Sequence, residues 1–144
     1  RRCLVGSEMC IRDSYLGYPF DHTMYEKTKY SIVAETHVDN IDQFMITEKT
    51  ARAIINKHPF IIASTPRFLE QLRARGYETF SSIWPEDYDM EYEDELRMQK
   101  IADTVRYIHN NTIDWIRAYN ISKNNYTRLQ RRYDDAVSKL SQTL

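Results

Sequence analysis

The sequence predicts an α/β fold: a small parallel sheet flanked by helices and followed by a helical C-terminal region. Two short apolar runs, at 31–34 and 59–64, have the length and the β-branched character of buried strands. Helical signals fill the segment between them, and a second helical segment follows and ends at Gly76. Strand, helix, strand and helix in this order are typical of a parallel, Rossmann-like unit.

The first helix is expected over 48–57, with Thr47 as its N-cap. Lys49 then lies in the first turn, where the helix dipole already places positive charge, and a bound anion such as a diphosphate would remove this conflict. Glu48 is well placed on the same dipole and could accept hydrogen bonds from ligand hydroxyls. Glu35 directly follows the first strand, at the edge where open α/β sheets bind ligands. The alternative interpretation is that Glu48 and Lys49 form a solvated helix start.

The second helix is expected to begin with Thr65 as N-cap and Pro66 at its first position. Gly76 should end it, because glycine readily adopts the left-handed conformation of a helix C-terminus. Since this helix also starts at the carboxyl end of a strand, its amides are a further candidate contact for a phosphate. The segment 77–80 is a candidate third strand.

The C-terminal half begins with an acidic, aromatic stretch that includes Glu-Asp-Tyr-Asp at 86–89. A metal ion is one interpretation of these carboxylates, but their irregular spacing favours a solvated loop. From about residue 91, apolar residues recur every three or four positions, which predicts helices. Asn110 and Asn111 should end or bend the first of them, and later asparagines are expected to be weak points in the rest, namely Asn120, Asn124 and Asn125.

The first 14 residues are expected to be disordered and to lie outside the fold. Residues 3–13 read CLVGSEMCIRD, have no helical or strand period, and resemble a translated sequencing adapter. Both cysteines, Cys3 and Cys10, lie there, so the remaining sequence predicts no disulfide and no cysteine-based metal site. We therefore expect a coding sequence truncated upstream, with 15–29 as a loop or linker into the fold.

Composition argues against two classes of partner. The net charge is −1, and leaving out residues 1–14 removes three basic and two acidic side chains, which gives −2. This balance is unlike that of a nucleic-acid-binding surface. No apolar run approaches the roughly 20 residues of a membrane span. The expectation is a soluble, cytoplasmic protein that binds no nucleic acid and has no membrane span.

The motif around the first helix resembles a known family. A strand, Glu35, a spacer and then Ile-Thr-Glu-Lys at 46–49 resemble the donor-binding, C-terminal half of GT-B glycosyltransferases, especially the α-1,3-fucosyltransferases. In that family a strand ending in Glu-Asn-Ser precedes Tyr-Val-Thr-Glu-Lys. The following His-Pro-Phe-Ile-Ile and Gly-Tyr-Glu-Thr-Phe segments, at 58–62 and 76–80, are similar to glycosyltransferase-like proteins of phage and marine metagenomes.

The resemblance implies transfer from a GDP- or UDP-linked nucleotide sugar to a glycan or other hydroxyl acceptor. Glu48 and Lys49 match the donor-contacting residues of the family motif, and Glu35 and Thr47 complete the expected donor-binding set. No cofactor and no metal are expected. The general base is expected in an N-terminal half outside this sequence, so the fragment alone should be inactive. Met45 stands where the family has tyrosine, which leaves the donor sugar open.

The expected organisation is a nucleotide-sugar-binding unit at 30–109 and C-terminal helices at 110–144. The second functional interpretation is a non-catalytic phage or microbial structural or interaction protein. In that case the α/β core is a scaffold and the C-terminal helices dock a partner.

Overall fold

The computed structural model describes residues 23–35 and 46–142. The elements are, in chain order, α1 (Thr23–Lys27), β1 (Ser31–Ala34), α2 (Glu48–Ile55), β2 (Phe60–Ala63), α3 (Phe68–Ala74), a 3-10 helix (Asp87–Met90), α4 (Asp94–Asn110) and α5 (Trp115–Ser141). The predicted α/β class with a helical C-terminal region is confirmed. The predictions for residues 1–14 and for Met45 lie outside the described residues.

The sheet has the predicted parallel arrangement. β1 and β2 pair in parallel, with Ser31 opposite Phe60 and Ala34 opposite Ala63. α2 connects the two strands, so their carboxyl ends lie at the same edge of the sheet. The start of α2 is therefore held beside the end of β1.

The segment before β1 corrects the prediction of a loop over 15–29, because Thr23–Lys27 form a helical turn. His58, just before β2, is buried and anchors this region. Its Nδ1 lies 2.8 Å from Ser31 Oγ, and its Nε2 lies 2.9 Å from the Thr28 carbonyl oxygen. Burial lowers the pKa of His58, and the Thr28 carbonyl opposes that shift. The His58 ring thus joins Thr28, which follows α1, to Ser31 at the start of β1.

The second helix starts later than predicted. α3 begins at Phe68, and its N-cap residue is Arg67, which has a left-handed φ of 65° and no side-chain cap bond. Its end is as predicted: Gly76 has φ +82°. There the Gly76 and Tyr77 N–H groups donate to the Arg73 and Leu72 carbonyls at 2.9 and 3.2 Å, which closes the helix with a Schellman motif.

The candidate third strand at 77–80 is wrong, because this segment is irregular. Side chains take the place of a neighbouring strand. The Asn125 amide accepts a hydrogen bond from the Glu78 N–H at 2.8 Å and donates one to the Glu78 carbonyl at 2.9 Å. Glu86 accepts from the Phe80 N–H at 2.7 Å. Side chains thus pair both backbone groups of Glu78 and the N–H of Phe80 without a strand ladder.

α5 is one continuous helix, so the expectation of weak points at its asparagines is wrong. Asn125 is 1% exposed and is satisfied by Glu78, which removes the competition with the helix backbone that disfavours asparagine there. The predicted end of α4 at Asn110 is confirmed. None of the helices in the described ranges is both long and apolar enough to cross a membrane.

One apolar cluster joins the sheet to the C-terminal helices. Phe60 meets Phe80 edge to face at 5.0 Å between ring centroids, and Phe80 stacks on Trp84 at 4.8 Å. The same cluster includes residues of both strands, α2, α3, α4 and α5, among them Val33, Ile54, Ile61, Leu72, Ile101, Ile108, Ala118 and Ile121. α5, which follows residue 110, therefore completes the core of the α/β unit.

Candidate functional site

Glu35 lies at the carboxyl end of β1, as predicted, and is buried with 8% of its surface exposed. Its N–H continues the strand pairing by donating to the Ala63 carbonyl at 2.9 Å. The side chain reaches the start of α2. The Thr47 hydroxyl donates to Oε2 at 2.5 Å, and the Thr50 hydroxyl donates to Oε1. The Thr50 N–H also donates to Oε1 at 3.2 Å.

These contacts bring two of the four predicted site residues together, Glu35 and Thr47. They also supply the anion that a helix N-terminus favours, because the Glu35 carboxylate lies at the positive end of the α2 dipole. Thr47 is the N-cap, as predicted, since its Oγ1 accepts from the Lys49 N–H at 3.3 Å. Glu35 and Thr47 thus fix the strand-to-helix connection.

The other two site residues lie on the first turn of α2. The Glu48 side chain is exposed and Lys49 is half-buried. The Lys49 and Thr50 amides of this turn already donate to Thr47 and Glu35. A ligand at this helix start therefore meets side chains instead of these two amides.

The N-terminus of α3 is occupied in the same way. Asp89 is buried, and its two carboxylate oxygens accept from the Leu69 N–H at 2.7 Å and the Glu70 N–H at 3.0 Å. The expectation that these amides help to hold a phosphate is therefore wrong, because a carboxylate of the protein takes that position. Burial raises the pKa of Asp89, and the two N–H donors oppose that shift.

A compact polar network surrounds Asp89. Arg73 lies 3.3 Å from Glu86 Oε2 and 3.7 Å from Asp89 Oδ2, and it donates to the Thr79 hydroxyl at 2.9 Å. Side-chain exposure is only 5% for Glu86 and 3% for Asp89. The interpretation of 86–89 as a solvated loop is therefore wrong for these two carboxylates. Within the described ranges, no group of three or more His, Cys, Asp or Glu side chains could hold a metal ion.

Sequence reasoning missed several residues that build these sites. Thr50 lies three residues after Thr47 on the same helical face, a spacing that could have indicated their shared contact with Glu35. Arg73, Glu86, Asp89 and Asn125 carried no comparable signal, because their partners are distant in the chain or belong to the backbone.

A cavity of about 430 Å³ lies away from the α2 start, between the segment after α3 and the first half of α5. Glu35, Thr47, Glu48 and Lys49 do not line it. The predicted donor-binding set therefore lies outside this cavity.

No protein-family model, no curated protein and no solved structure matches the chain. The resemblance to the fucosyltransferases stays a prediction. Function therefore has to follow from the residues and contacts described above.

Proposed function

We propose that the chain is the donor-binding part of a glycosyltransferase and that the start of α2 contacts a nucleotide sugar. The observation that supports this is the parallel β1-α2-β2 unit, which sets Glu48 and Lys49 beside the carboxyl end of β1. This edge is where open α/β sheets bind ligands. The motif at 46–49 adds its resemblance to the donor site of the fucosyltransferases.

The four residues have different roles in this proposal. Glu35 and Thr47 are positioning residues, because their side chains are bonded to each other and to the first turn of α2. Lys49 binds the diphosphate, and the exposed Glu48 accepts hydrogen bonds from ribose or sugar hydroxyls. A cation beside the leaving diphosphate would stabilise the charge that develops as the glycosidic bond breaks.

The experiment is calorimetric titration of the chain with GDP, UDP and their sugars. A charge-assisted bond from Lys49 to phosphate is worth about 1.5–3 kcal/mol, so Lys49→Met should weaken nucleoside-diphosphate binding by roughly 10- to 150-fold. Methionine keeps most of the aliphatic stem, which limits the loss of packing. Glu48→Gln should weaken binding of the nucleotide sugar more than that of the free nucleoside diphosphate.

Lys123→Met makes the same substitution at an exposed lysine of α5 and is the matched control. Thermal unfolding of each variant separates lost binding from lost stability. If no nucleotide binds, or if binding is the same in wild type and Lys49→Met, the donor-site proposal is wrong.

The second candidate function, an interaction protein, is favoured by the last turns of α5. Tyr133, Val137 and Leu140 follow one another at helical spacing and are 70, 46 and 68% exposed. Arg132 and Lys139 flank this stripe on one side. Two copies of the helix in antiparallel contact would bring these cations together, so the fitting partner is a helix with acidic side chains on the side that meets Arg132 and Lys139. A negative nucleotide titration would leave this candidate in place.

A further inference from the structure

The last turns of α5 reach beyond the core of the fold. Leu129 packs against the core cluster, whereas every described residue at 131–142 is exposed. The α5 stripe follows Leu129 at spacings of three and four residues and consists of Tyr133, Val137 and Leu140. It therefore continues the face with which α5 packs on the core. Since α5 is one continuous helix, this face ends in solvent, and no other described element covers it.

A second exposed apolar surface lies where α4 begins. Met90, Tyr92 and Leu96 are 54, 65 and 43% exposed. Glu93 and Glu95 lie among them in the sequence and are exposed as well. We call these five residues the α4 patch. It combines large apolar side chains with carboxylates in one short stretch of chain.

Ion pairs hold the α4 patch in place. Lys100 Nζ lies 3.0 Å from Glu91 Oε2 and 3.6 Å from Asp87 Oδ2, which joins the 3-10 helix to α4. In the part of the chain that the structure describes, Glu93 and Glu95 form no ion pair. The patch is thus attached to an ordered helix and carries two carboxylates that no described basic side chain pairs with.

We propose that the α5 stripe of one copy docks on the α4 patch of a second copy of this chain. The apolar side chains of the two surfaces are removed from water together in this contact. Arg132 and Lys139, which flank the stripe, then face Glu93 and Glu95. The two cations are seven residues apart, about 10 Å along the helix, so they lie on the same side of it.

Charge favours this contact over the pairing of two like surfaces. Stripe against stripe brings cations together, and patch against patch brings carboxylates together, which is unfavourable in both cases. Stripe against patch pairs opposite charges. The α4 patch is thus the surface of this chain that has the acidic side chains expected of a partner for the stripe.

Each copy carries both surfaces, so the contact is head-to-tail and either closes into a ring or grows as an open chain. The contact involves about five side chains on each side, against roughly 20–30 in a stable interface, so the association should be weak and dependent on concentration. The proposal names a partner for the second candidate function and rests on it. It does not depend on the donor site.

Sedimentation velocity of the whole chain over a range of protein concentrations tests this proposal. The wild type should form dimers and larger species as the concentration rises, and fewer of them at high salt, which screens the charges. Arg132→Ala combined with Tyr133→Ala removes the stripe, and Glu95→Ala combined with Leu96→Ala removes the patch. Each double variant should weaken association by roughly 10-fold or more, as expected for loss of an anchoring side chain and its charge.

A mixture of the two double variants identifies a head-to-tail contact. Each variant keeps one surface intact, so the mixture should form a 1:1 dimer that does not grow, although neither variant associates alone. Ile116→Ala combined with Arg117→Ala removes an exposed apolar and basic pair elsewhere on α5 and is the matched control. All the substituted side chains are exposed, so each variant should unfold close to the wild-type temperature.

The proposal would be overturned by a wild type that stays monomeric, by a mixture that forms no dimer, or by equal weakening in the control. Titration with a synthetic acidic amphipathic helix distinguishes this failure from that of the second candidate function. If the wild type stays monomeric but binds this helix through the stripe, only the self-association is wrong. If it binds neither, both are wrong.

Discussion

At the residue scale, three buried carboxylates accept hydrogen bonds from backbone N–H groups that would otherwise need a ligand or water as acceptor. Glu35, Glu86 and Asp89 each accept hydrogen bonds from backbone N–H groups of other segments. Each carboxylate joins two segments that lie apart in the chain. The cost of burying its charge is offset by N–H donors and, for Glu86 and Asp89, by Arg73.

This arrangement predicts an unusual pH dependence for Glu86. Burial raises its pKa above the ordinary value of 4.5, and the Thr79, Phe80 and Arg73 contacts oppose the shift. The folded state therefore holds this proton to higher pH than the unfolded state does. Relative to Glu86→Gln, the wild-type free energy of unfolding should fall as the pH rises from about 4 to about 7. Urea unfolding of both proteins across this range measures the difference.

Glu91 provides a control of opposite sign. Its hydrogen bond with Lys100 lowers its pKa, so the stability it contributes is present at neutral pH and is lost as the pH falls through that lowered pKa. Relative to Glu91→Gln, the wild type should thus gain stability as the pH rises. A gain with pH in the Glu86 comparison would mean that the Arg73 ion pair outweighs burial.

The four predicted site residues show which features of single residues can be predicted from the sequence and which cannot. Thr47 is predictable as an N-cap because capping depends on residues close in the chain. The position of Glu35 at the strand end is predictable too, but its bonding partners are not. A carboxylate there can face a ligand or a helix start, and only the packing of α2 on β1 decides between them. The structure pairs Glu35 with Thr47 and Thr50.

At the scale of elements, the Asn125 side chain makes the backbone hydrogen bonds to residue 78 that a neighbouring strand would make in a sheet. The segment 77–80 contains aromatic and β-branched residues that are common in strands. The Asn125 amide of α5 nevertheless pairs with the backbone of Glu78 through both its donor and its acceptor. The sequence offered no signal for this pairing, since the two residues are 47 positions apart. Asn125 was expected to weaken its helix. In the structure it instead connects α5 to the segment that follows α3.

Asn125→Ala should therefore destabilise the protein by about 1–3 kcal/mol, because it leaves two backbone groups without partners. Asn124→Ala is the matched control, since its neighbouring amide is exposed and bonds only to the Glu78 side chain. Its cost should stay below about 0.5 kcal/mol. Chemical denaturation followed by circular dichroism measures both. Equal losses in the two variants would contradict a special role for Asn125.

At the scale of the whole molecule, the α/β fold class was predictable from the sequence. The boundary between the α/β unit and the C-terminal region was harder to predict. Strand and helix order depend on local hydrophobic period, which the sequence displays directly. Which helix covers which face of the sheet depends on contacts between distant residues. The aromatic cluster of Phe60, Phe80 and Trp84 continues to Trp115, whose ring centroid lies 6.4 Å from that of Trp84. The boundary expected near residue 110 thus crosses a shared core.

Truncated chains distinguish between two possibilities: one core shared by the α/β unit and α5, or two parts that fold independently. A chain ending at residue 110 loses Ile113, Ala118 and Ile121 from the core, so it should show no cooperative thermal unfolding. A chain ending at residue 130 keeps the first half of α5. Of the residues it loses, all those that the structure describes, 131–142, are exposed. Its midpoint should shift by less than about 5 °C, the change produced by about 1 kcal/mol in a domain of this size. Cooperative unfolding of the shorter chain near the wild-type temperature would instead show that the α/β unit folds without α5.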